Sequence, residues 1–281
     1  MMGDTAPRRR NGIRTVDIHC HAFPDFLAPR AIEQLEQGAP GYKAFTDGTV
    51  ADLLRHLDRA GLDVAVVCSI ATAPKQVRSI LDWSCQIASD RIVPFASVHP
   101  ATENLYQATA EIARAGLKGI KLHPQYQVFF VDDPAMFPVY RSAADHGLIL
   151  LLHAGYDLAF PDDPRSQPHR IAAVAKQFPG LRIVAAHMGG WKDWDAALEH
   201  LVGTDVYLDT SFAIAGGPDD MPRHLLAKFL ERHSPERILF GTDSPWREHR
   251  SELAALDALG LPEDVKRDVL GNNALRLLGL V

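Results

Sequence analysis

Cysteine is scarce in this sequence of 281 residues. It has three cysteines, Cys20, Cys68 and Cys85, and no two of them form a Cys-x-x-Cys pair. Because three cysteines cannot all pair within one chain, we do not expect a disulfide framework. The cysteine content instead indicates a protein of a reducing compartment.

Long apolar runs and an excess of basic residues are also missing. No stretch of about 18 apolar residues is present, so no segment has the length of a transmembrane helix. The first residues lack an apolar run of signal-peptide length, and we therefore predict a cytoplasmic protein. The net charge of −6 argues against a surface for nucleic acid or an anionic membrane. The expected partner is a small-molecule substrate, with homo-oligomerisation left open.

Apolar residues, in contrast, are abundant. They make up 47% of the sequence against 23% charged residues, which is enough for a large core. From Arg14 onward, short β-branched or apolar runs alternate with longer stretches of helical spacing. Eight of the short runs are predicted as strands: Thr15–Cys20, Val64–Ile70, Ile92–Val98, Gly119–Leu122, Leu148–Leu152, Arg182–Ala186, Val206–Asp209 and Ile238–Phe240.

The segments between these strands carry helix signals. Thr49 is a suitable N-cap for the amphipathic stretch that follows it, and Gly61 ends that stretch before the next strand. Strand–helix repeats without a break in composition predict one closed α/β domain. We therefore predict a single (β/α)8 TIM barrel over residues 14–281, preceded by a flexible N-terminal tail at residues 1–13.

An open doubly wound sheet is the alternative α/β architecture. Such a sheet would be expected to carry a glycine-rich phosphate loop after its first strand. The first strand of this sequence runs instead into His19-Cys20-His21. The sequence therefore favours the barrel.

Polar residues lie where the predicted strands end. His19 and His21 end the first strand, and because alternate residues of a strand face the same side, both can point to one centre while Cys20 points away. Strands four, five, six and eight end near four further residues: Lys121, His153, His187 and Asp243. The carboxyl ends of all barrel strands meet at one face, which is where this fold keeps its active sites.

This set of residue types is typical of a metal centre. Imidazole nitrogens and a carboxylate are the usual ligands of catalytic zinc. A single histidine near a strand end is more often a hydrogen-bonded core residue. Several ligand-type residues at the same face are, however, hard to explain by separate structural roles. An ionised Asp243 buried there would also be costly without a cation or hydrogen-bond donors. The sequence therefore predicts a divalent metal at this face.

Several short motifs also occur in a set order. The first is the HxHxxP element formed by residues 19–24, followed by GIKLHP in strand four, LHAG in strand five, AAHMGG in strand six and FGTDSPW in strand eight. Together with the ending Gly271–Leu278, they resemble the amidohydrolase superfamily. The closest resemblance is to the amidohydrolase-related branch that includes aminocarboxymuconate-semialdehyde decarboxylase. It extends from about Val16 to the C-terminus.

The resemblance implies roles at the matching positions. It implies that the metal is held by His19, His21, His153 and Asp243. His187 matches a histidine that either binds a second metal or polarises the attacking water. Lys121 matches the position at which binuclear members carry a carboxylated lysine, although members with one metal can also have a lysine there. The cofactor is expected to be Zn²⁺ or another divalent metal such as Mn²⁺. One or two ions are left open, and we favour one.

The expected function is that of a metal-dependent hydrolase, which uses metal-activated water on an amide, lactone or ester of a small molecule. Asp243 would ligate the metal and accept a proton from the water, and His187 would hydrogen-bond the water or the developing oxyanion. The alternative is non-oxidative decarboxylation of an unsaturated or aromatic carboxylic acid at the same site. A barrel that only binds a ligand is a third class, against which the filled ligand positions argue.

Other residues are candidates for substrate contact. Tyr126 and Trp246 lie in loops after strands and are expected in the pocket wall. Arg165 and His169 are candidate partners for a substrate carboxylate, a task for which a bidentate arginine is well suited. Six histidines in helical or peripheral stretches are expected at the surface: His56, His146, His200, His224, His233 and His249.

Overall fold

The computed structural model describes residues 12–281, and eight parallel strands form its centre. Each strand pairs with the next in chain order, so the order of the strands in the sheet is their order in the sequence. The strands are β1 (Val16–Cys20), β2 (Val64–Cys68), β3 (Ile92–Ala96), β4 (Gly119–Leu122), β5 (Ile149–Leu152), β6 (Arg182–Ala185), β7 (Tyr207–Asp209) and β8 (Ile238–Leu239). Of the predicted tail at residues 1–13, residues 1–11 lie outside the described part.

The sheet closes on itself between β8 and β1. The backbone amide of Ile18 donates to the Phe240 carbonyl at 2.9 Å, and the amide of Asp243 donates to the His19 carbonyl at 2.7 Å. These bonds leave neither end strand with an open edge over this segment. The prediction of a (β/α)8 TIM barrel is therefore confirmed.

Helices surround the strands. The outer layer and the connecting segments contain α1 (Ala28–Gly38), α2 (Val50–Ala60), α3 (Gln76–Ile87), α4 (Leu105–Arg114), α5 (Pro124–Gln127), α6 (Phe137–Asp145), α7 (Pro168–Gln177), α8 (Trp194–His200), α9 (Arg223–Arg232), α10 (His249–Asp257), α11 (Glu263–Arg267) and α12 (Asn273–Leu278). Shorter 3-10 turns lie at Pro134–Met136, His187–Gly189 and Pro235–Arg237, and a π-helical turn at Asp268–Asn272. Within residues 12–281, no helix has the length and apolarity needed to cross a bilayer.

Two groups of buried apolar side chains follow from the alternation of the strands. Along β5, Ile149 and Leu151 belong to a smaller group inside the barrel, whereas Leu150 and Leu152 pack outward with side chains of the helices. His153 continues the inner series at the same period of two. The strand thus delivers its terminal histidine to the mouth of the barrel.

An irregularity in β1 sets the direction of the first two histidines. The pairing register with β2 shifts between Asp17 and Cys20. Ile18 packs with the inner group, but Cys20 packs with the outer group, so the alternation is displaced within this strand. Such a local displacement is the usual effect of a β-bulge. It brings the side chains of His19 and His21 to the cavity at the barrel mouth.

Candidate active site and metal centre

A cavity of about 930 Å³ opens at the carboxyl ends of the strands. We call its floor the part that is lined by His19, His21, Lys121, His153 and Asp243; His123 and Asp157 also line the cavity. Aromatic side chains dominate its walls: Phe23, Trp83, Tyr126, Tyr156, Trp191, Phe212 and Trp246. Helices α1 and α3 line its outer part, because α1 is inserted between β1 and the outer-layer helix α2.

The contacts of His21 show which of its two ring nitrogens carries the proton. Its Nδ1 lies 2.8 Å from the carbonyl oxygen of Cys68. Since a carbonyl can only accept, Nδ1 carries the proton and donates this bond. The other nitrogen, Nε2, lies 2.9 Å from Oδ1 of Asp243.

His19 shows the same arrangement with different partners. Its Nδ1 lies 3.0 Å from Oδ2 of Asp209. Its Nε2 lies 3.4 Å from Oδ1 of Asp243 and 2.9 Å from Nζ of Lys121. Because Nδ1 donates to the Asp209 carboxylate, the lone pair of the neutral ring is on Nε2, which can accept from Lys121 and faces the cavity.

Three acceptor atoms therefore converge at the floor of the cavity. Ligand atoms of His19, His21 and Asp243 all lie within 4.8 Å of one another. Each imidazole already donates its Nδ1 proton to another group, which leaves two lone pairs directed at a carboxylate. A divalent cation among them would be coordinated by all three atoms and would balance the charge of the carboxylate, and N and O ligands of these types suit Zn²⁺. The donor set thus fits the expected metal.

Asp243 owes its position and charge to its surroundings. Its backbone has a positive φ of 62°, a conformation that turns the chain sharply after β8. Burial by itself would raise the pKa of the carboxyl group. The neighbouring His19 and His21 outweigh that effect and hold the pKa of Asp243 well below its ordinary value. The group is therefore an anion throughout the neutral range.

Lys121 lies on the same floor. Its side chain is 1% exposed, and burial lowers the pKa of its ammonium group because hydration is lost. Among the described residues no carboxylate lies within ion-pair distance of Nζ, whose nearest hydrogen-bond partner is His19. The cavity therefore contains a buried amine without a permanent counter-ion.

His153 belongs to an adjoining group. Its Nδ1 lies 3.0 Å from Nε2 of His187, and its Nε2 lies 2.9 Å from the carbonyl of Tyr156. Its ring stacks on that of His123 with the centroids 4.0 Å apart, and both rings form a potential ligand group with Asp157. The structure thus brings together three of the four expected ligands. The fourth, His153, contacts His187 and the Tyr156 carbonyl instead.

His187 lies one layer behind the floor. It begins a tight turn after β6 with a φ of 58°, and it is 3% exposed. Burial lowers the pKa of the imidazole to about 4, so it is neutral at neutral pH. Its ring contacts the cavity residues His19 and His153 but does not itself line the cavity.

Two buried carboxylates behind the histidines were missed by the sequence analysis. Asp209, the last residue of β7, accepts hydrogen bonds from His19 and from the backbone amide of His187. Burial would raise its pKa, but the contact with His19 lowers it to about 2. Its place at the end of a strand, like those of the predicted residues, was the signal that could have identified it.

Asp17 is the second of these carboxylates. It accepts from the backbone amides of His19 at 3.0 Å and Thr242 at 3.1 Å, and from the Thr242 hydroxyl at 2.6 Å. It therefore connects β1 to the segment after β8, next to two expected ligands. Burial raises its pKa to about 7. Its spacing of two from His19 could have identified it.

The histidines expected at the surface include two exceptions. His249 is 1% exposed and faces Asp17, with 3.4 Å between Nε2 and Oδ2. His233 is 2% exposed, and its Nδ1 accepts a hydrogen bond from the amide of Gly203. The surface prediction was wrong for both, because the fold packs His249 against Asp17 and His233 against the loop that contains Gly203.

The four candidates for substrate contact separate into two pairs. Tyr126 and Trp246 line the cavity. Arg165 does not line it, and instead pairs with Asp163 at 2.8 Å. His169 does not line it either and lies on α7 near His200, with 6.0 Å between ring centroids. The loop after β5 carries both of these residues away from the mouth.

The fold and site define a (β/α)8-barrel protein with a cavity and a set of ligand-type residues at the mouth. The sequence model of a protein family described as Amidohydrolase matches residues 16–280. The chain therefore belongs to the amidohydrolase family and is an enzyme of the amidohydrolase superfamily. Members of this family usually bind a divalent metal. No curated protein matches the chain significantly.

Solved structures share the fold at low sequence identity. An uncharacterized TIM-barrel protein from Bordetella bronchiseptica is 20% identical, with a TM-score of 0.73 over 95% of this chain and 99% of that one. The 5-carboxyvanillate decarboxylase of Sphingomonas paucimobilis is 16% identical, with a TM-score of 0.70 and coverage of 95% and 99%. A probable 2-pyrone-4,6-dicarboxylic acid hydrolase from Acinetobacter baumannii is 17% identical, with a TM-score of 0.68 and coverage of 95% and 100%.

Proposed function

We propose that this protein is a metal-dependent hydrolase that acts on an amide, lactone or ester of a small molecule. The observation that carries the proposal is the convergence of His19 Nε2, His21 Nε2 and Asp243 Oδ1 at the floor of the cavity. These atoms would hold the metal, with His153 as the expected fourth ligand. A bound divalent ion supplies positive charge that lowers the pKa of a water molecule and polarises a carbonyl oxygen.

Asp243 has the central role among the protein groups. Because its pKa is held low, it remains an acceptor at neutral pH. It can therefore accept a hydrogen bond from the attacking water and orient it toward the substrate carbonyl. Its backbone amide is bound to the His19 carbonyl, so the carboxylate has a fixed position beside the first strand.

His187 acts through His153 in this arrangement. It is neutral near pH 7, and its Nε2 lies 3.0 Å from Nδ1 of His153, the ring that lines the cavity. It can therefore stabilise a proton or a hydrogen bond on His153 as charge develops on the substrate oxygen. We therefore propose that His187 acts on the water or the developing oxyanion indirectly, through its contact with His153.

The cavity also indicates which substrates fit. Aromatic walls that include Tyr126 and Trp246 favour a planar or apolar body. The amine of Lys121 on the floor provides a partner for an anionic substituent, since none of the carboxylates in residues 12–281 lies within ion-pair distance of it. We therefore expect a small aromatic or unsaturated molecule that carries a carboxylate.

Decarboxylation is the second candidate, and the same lysine is the observation that favours it. A substrate carboxylate bound to Lys121 would lie beside Asp243. Loss of CO₂ would leave its electron pair on the carbon, which would take a proton from a water molecule hydrogen-bonded to Asp243. The structural neighbour from Sphingomonas paucimobilis is named as a decarboxylase, and the neighbour from Acinetobacter baumannii as a hydrolase. Both functions are therefore tested together.

A panel of lactones, amides, esters and aromatic carboxylic acids, assayed with Zn²⁺ and with Mn²⁺, distinguishes these functions. Hydrolysis is expected to incorporate ¹⁸O from labelled water into a new acid without release of CO₂. Release of CO₂ from a carboxylic acid would instead establish decarboxylation. If protein purified without chelators held no divalent metal and took none up, the metal-dependent proposal would be wrong in both forms.

A further inference from the structure

Asp209 occupies an unusual position among the buried side chains. It ends β7 and has no exposed surface. Its Oδ1 accepts hydrogen bonds from the amide of His187 at 3.0 Å, from the amide of Ser211 at 3.1 Å and from the Ser211 hydroxyl. Its Oδ2 lies 3.0 Å from Nδ1 of His19. One carboxylate thus contacts two histidines of the site.

These contacts determine where the proton of His19 lies. A carboxylate that accepts from Nδ1 requires the proton on Nδ1 and leaves a lone pair on Nε2. The contact on the other side of the ring agrees, because Nζ of Lys121 lies 2.9 Å from Nε2 and carries hydrogens that it can donate to this nitrogen. The lone pair of His19 therefore faces His21 and Asp243.

Ser211 extends the arrangement to His187. Its hydroxyl donates to Asp209, and its oxygen lies 2.9 Å from Nδ1 of His187. The same oxygen lies 3.3 Å from Nδ1 of His19. The two imidazoles are therefore oriented from behind by a single Asp209–Ser211 pair.

We propose that Asp209 is a positioning residue that fixes the tautomer of His19 and, through Ser211, the orientation of His187. The proposal rests on the proposed function, in which Nε2 of His19 is a metal ligand. Carboxylates that receive the second N–H of a ligating histidine orient the ring and increase its basicity. Asp209 would do so for His19 without contacting the metal or the substrate.

A ligand role for Asp209 itself is the competing interpretation. His19, His187 and Asp209 also lie close enough to form a metal-binding group. A cation there would have to displace the hydrogen bonds that both carboxylate oxygens already accept, and Asp209 does not line the cavity. The group with His21 and Asp243 lies on the cavity surface and has free lone pairs. The contacts therefore favour positioning.

The test uses ¹⁵N-histidine-labelled protein, first without metal and then in a Zn²⁺ titration against a competing chelator. In the wild type, His19 is expected as the Nδ1–H tautomer. Asp209→Asn keeps the shape but presents an amide that donates, so His19 is expected to move its proton to Nε2. Zn²⁺ affinity is then expected to fall roughly 10- to 100-fold.

Asp63→Asn is the matched control. Asp63 is also a buried carboxylate, and it accepts from the amide and hydroxyl of Thr15 at 2.8 and 3.0 Å, but at the amino ends of the strands. This variant is expected to keep both the tautomer and the affinity. Ser211→Ala is expected to keep the tautomer of His19 and to change the signals of His187.

Several outcomes would overturn the proposal. An Nε2–H tautomer of His19 in the metal-free wild type would do so without any variant. Equal Zn²⁺ affinities of Asp209→Asn and Asp63→Asn would also do so. If the wild type binds no Zn²⁺, the proposed function fails, while the tautomer in the metal-free proteins still decides the role of Asp209.

Discussion

At the scale of single residues, the histidines on the floor of the cavity have their Nδ1 protons bound to other protein groups. Both His19 and His21 donate from Nδ1 to groups behind them, the Asp209 carboxylate and the Cys68 carbonyl. Their remaining nitrogens face Asp243, which is buried and anionic. Apart from the contact between Lys121 and His19, these three atoms are acceptors that face one another, and burying them in this way costs free energy unless a cation completes the site.

The first prediction concerns Asp243. Asp243→Asn removes the negative charge and places N–H donors toward the imidazoles, so metal affinity should fall. Turnover on the best substrate of the panel should fall by roughly 10²- to 10⁴-fold, the range for loss of a positioned acid or base. Circular dichroism should show a retained fold. Asp63→Asn, a buried carboxylate at the amino ends of the strands, serves as a control that keeps metal binding, and wild-type turnover in Asp243→Asn would contradict the role.

Glu252 allows a prediction about pH and stability. It lies on α10, and its Oε2 has no hydrogen-bond partner within residues 12–281. Burial raises the pKa of its carboxyl group to about 8 in the folded protein, from an ordinary value of 4.5. The folded state therefore holds a proton that the unfolded state releases, so this group makes the protein less stable as the pH rises from about 4.5 to about 8.

Glu252→Gln should remove that dependence. The variant should be more stable than the wild type, with a difference that grows by at most about 1.4 kcal/mol per pH unit between these two values. Urea unfolding at several pH values measures it. Glu231→Gln, an exposed change on α9, is the control. Parallel stability curves for the wild type and Glu252→Gln would show that Glu252 is ionised in the fold.

At the scale of elements, the loops after β5 and β6 support each other. The Trp191 amide donates to the Ala154 carbonyl at 2.9 Å, and the Tyr156 amide donates to the Trp191 carbonyl at 3.0 Å. Gly155 lies between these bonds with a φ of 89°. A Cβ at this position would lie 2.3 Å from the Trp191 carbonyl oxygen, a contact with backbone that cannot move aside easily.

Gly155→Ala should therefore destabilise the protein by about 2–4 kcal/mol, from overpacking together with the left-handed backbone. It should also reduce activity, because Tyr156 and Trp191 line the cavity. Gly61→Ala is the matched control, with a φ of 72° but nothing within 4 Å of the added Cβ. Its cost should be about 1–2 kcal/mol, from backbone alone. Equal losses in urea unfolding would show that the contact with Trp191 relaxes.

At the scale of the whole molecule, metal binding and folding are coupled. The acceptors converge only when β1 and the segment after β8 are joined, so an unfolded chain offers no such site. A ligand that binds only the folded state adds about 2.7 kcal/mol at a concentration of 100 Kd. For a protein of this size the melting temperature should then rise by roughly 5–10 °C.

A thermal melt with Zn²⁺ and with a chelator checks this coupling. The wild type should melt at a higher temperature with the metal, and Asp63→Asn should show the same increment from its own baseline. His21→Ala should lose most of the increment, since it removes one of the three converging ligands. An increment that is the same in His21→Ala would place the bound metal elsewhere.

Much of this architecture was predictable from the order of residues. The eight strands lie within two residues of their predicted ends, because buried strands are short apolar runs bounded by polar residues. The chain order of strands and helices also predicts that residues such as His21, Lys121 and Asp243 meet at one mouth. The spacing of apolar residues and the alternation of strands with helices are both visible along the chain, so the sequence predicts them directly.

The sequence by itself determined the barrel and which strand ends face the cavity. Only the tertiary structure decided how those side chains pair: His153 turns to His187, and Arg165 leaves the mouth with its loop. It also decided that Asp209 lies behind His19, although 190 residues separate them. A pattern of residue types specifies which face a side chain occupies. Which group that side chain contacts depends on bulges and on the paths of loops, and these arise from contacts between segments that are distant in the chain.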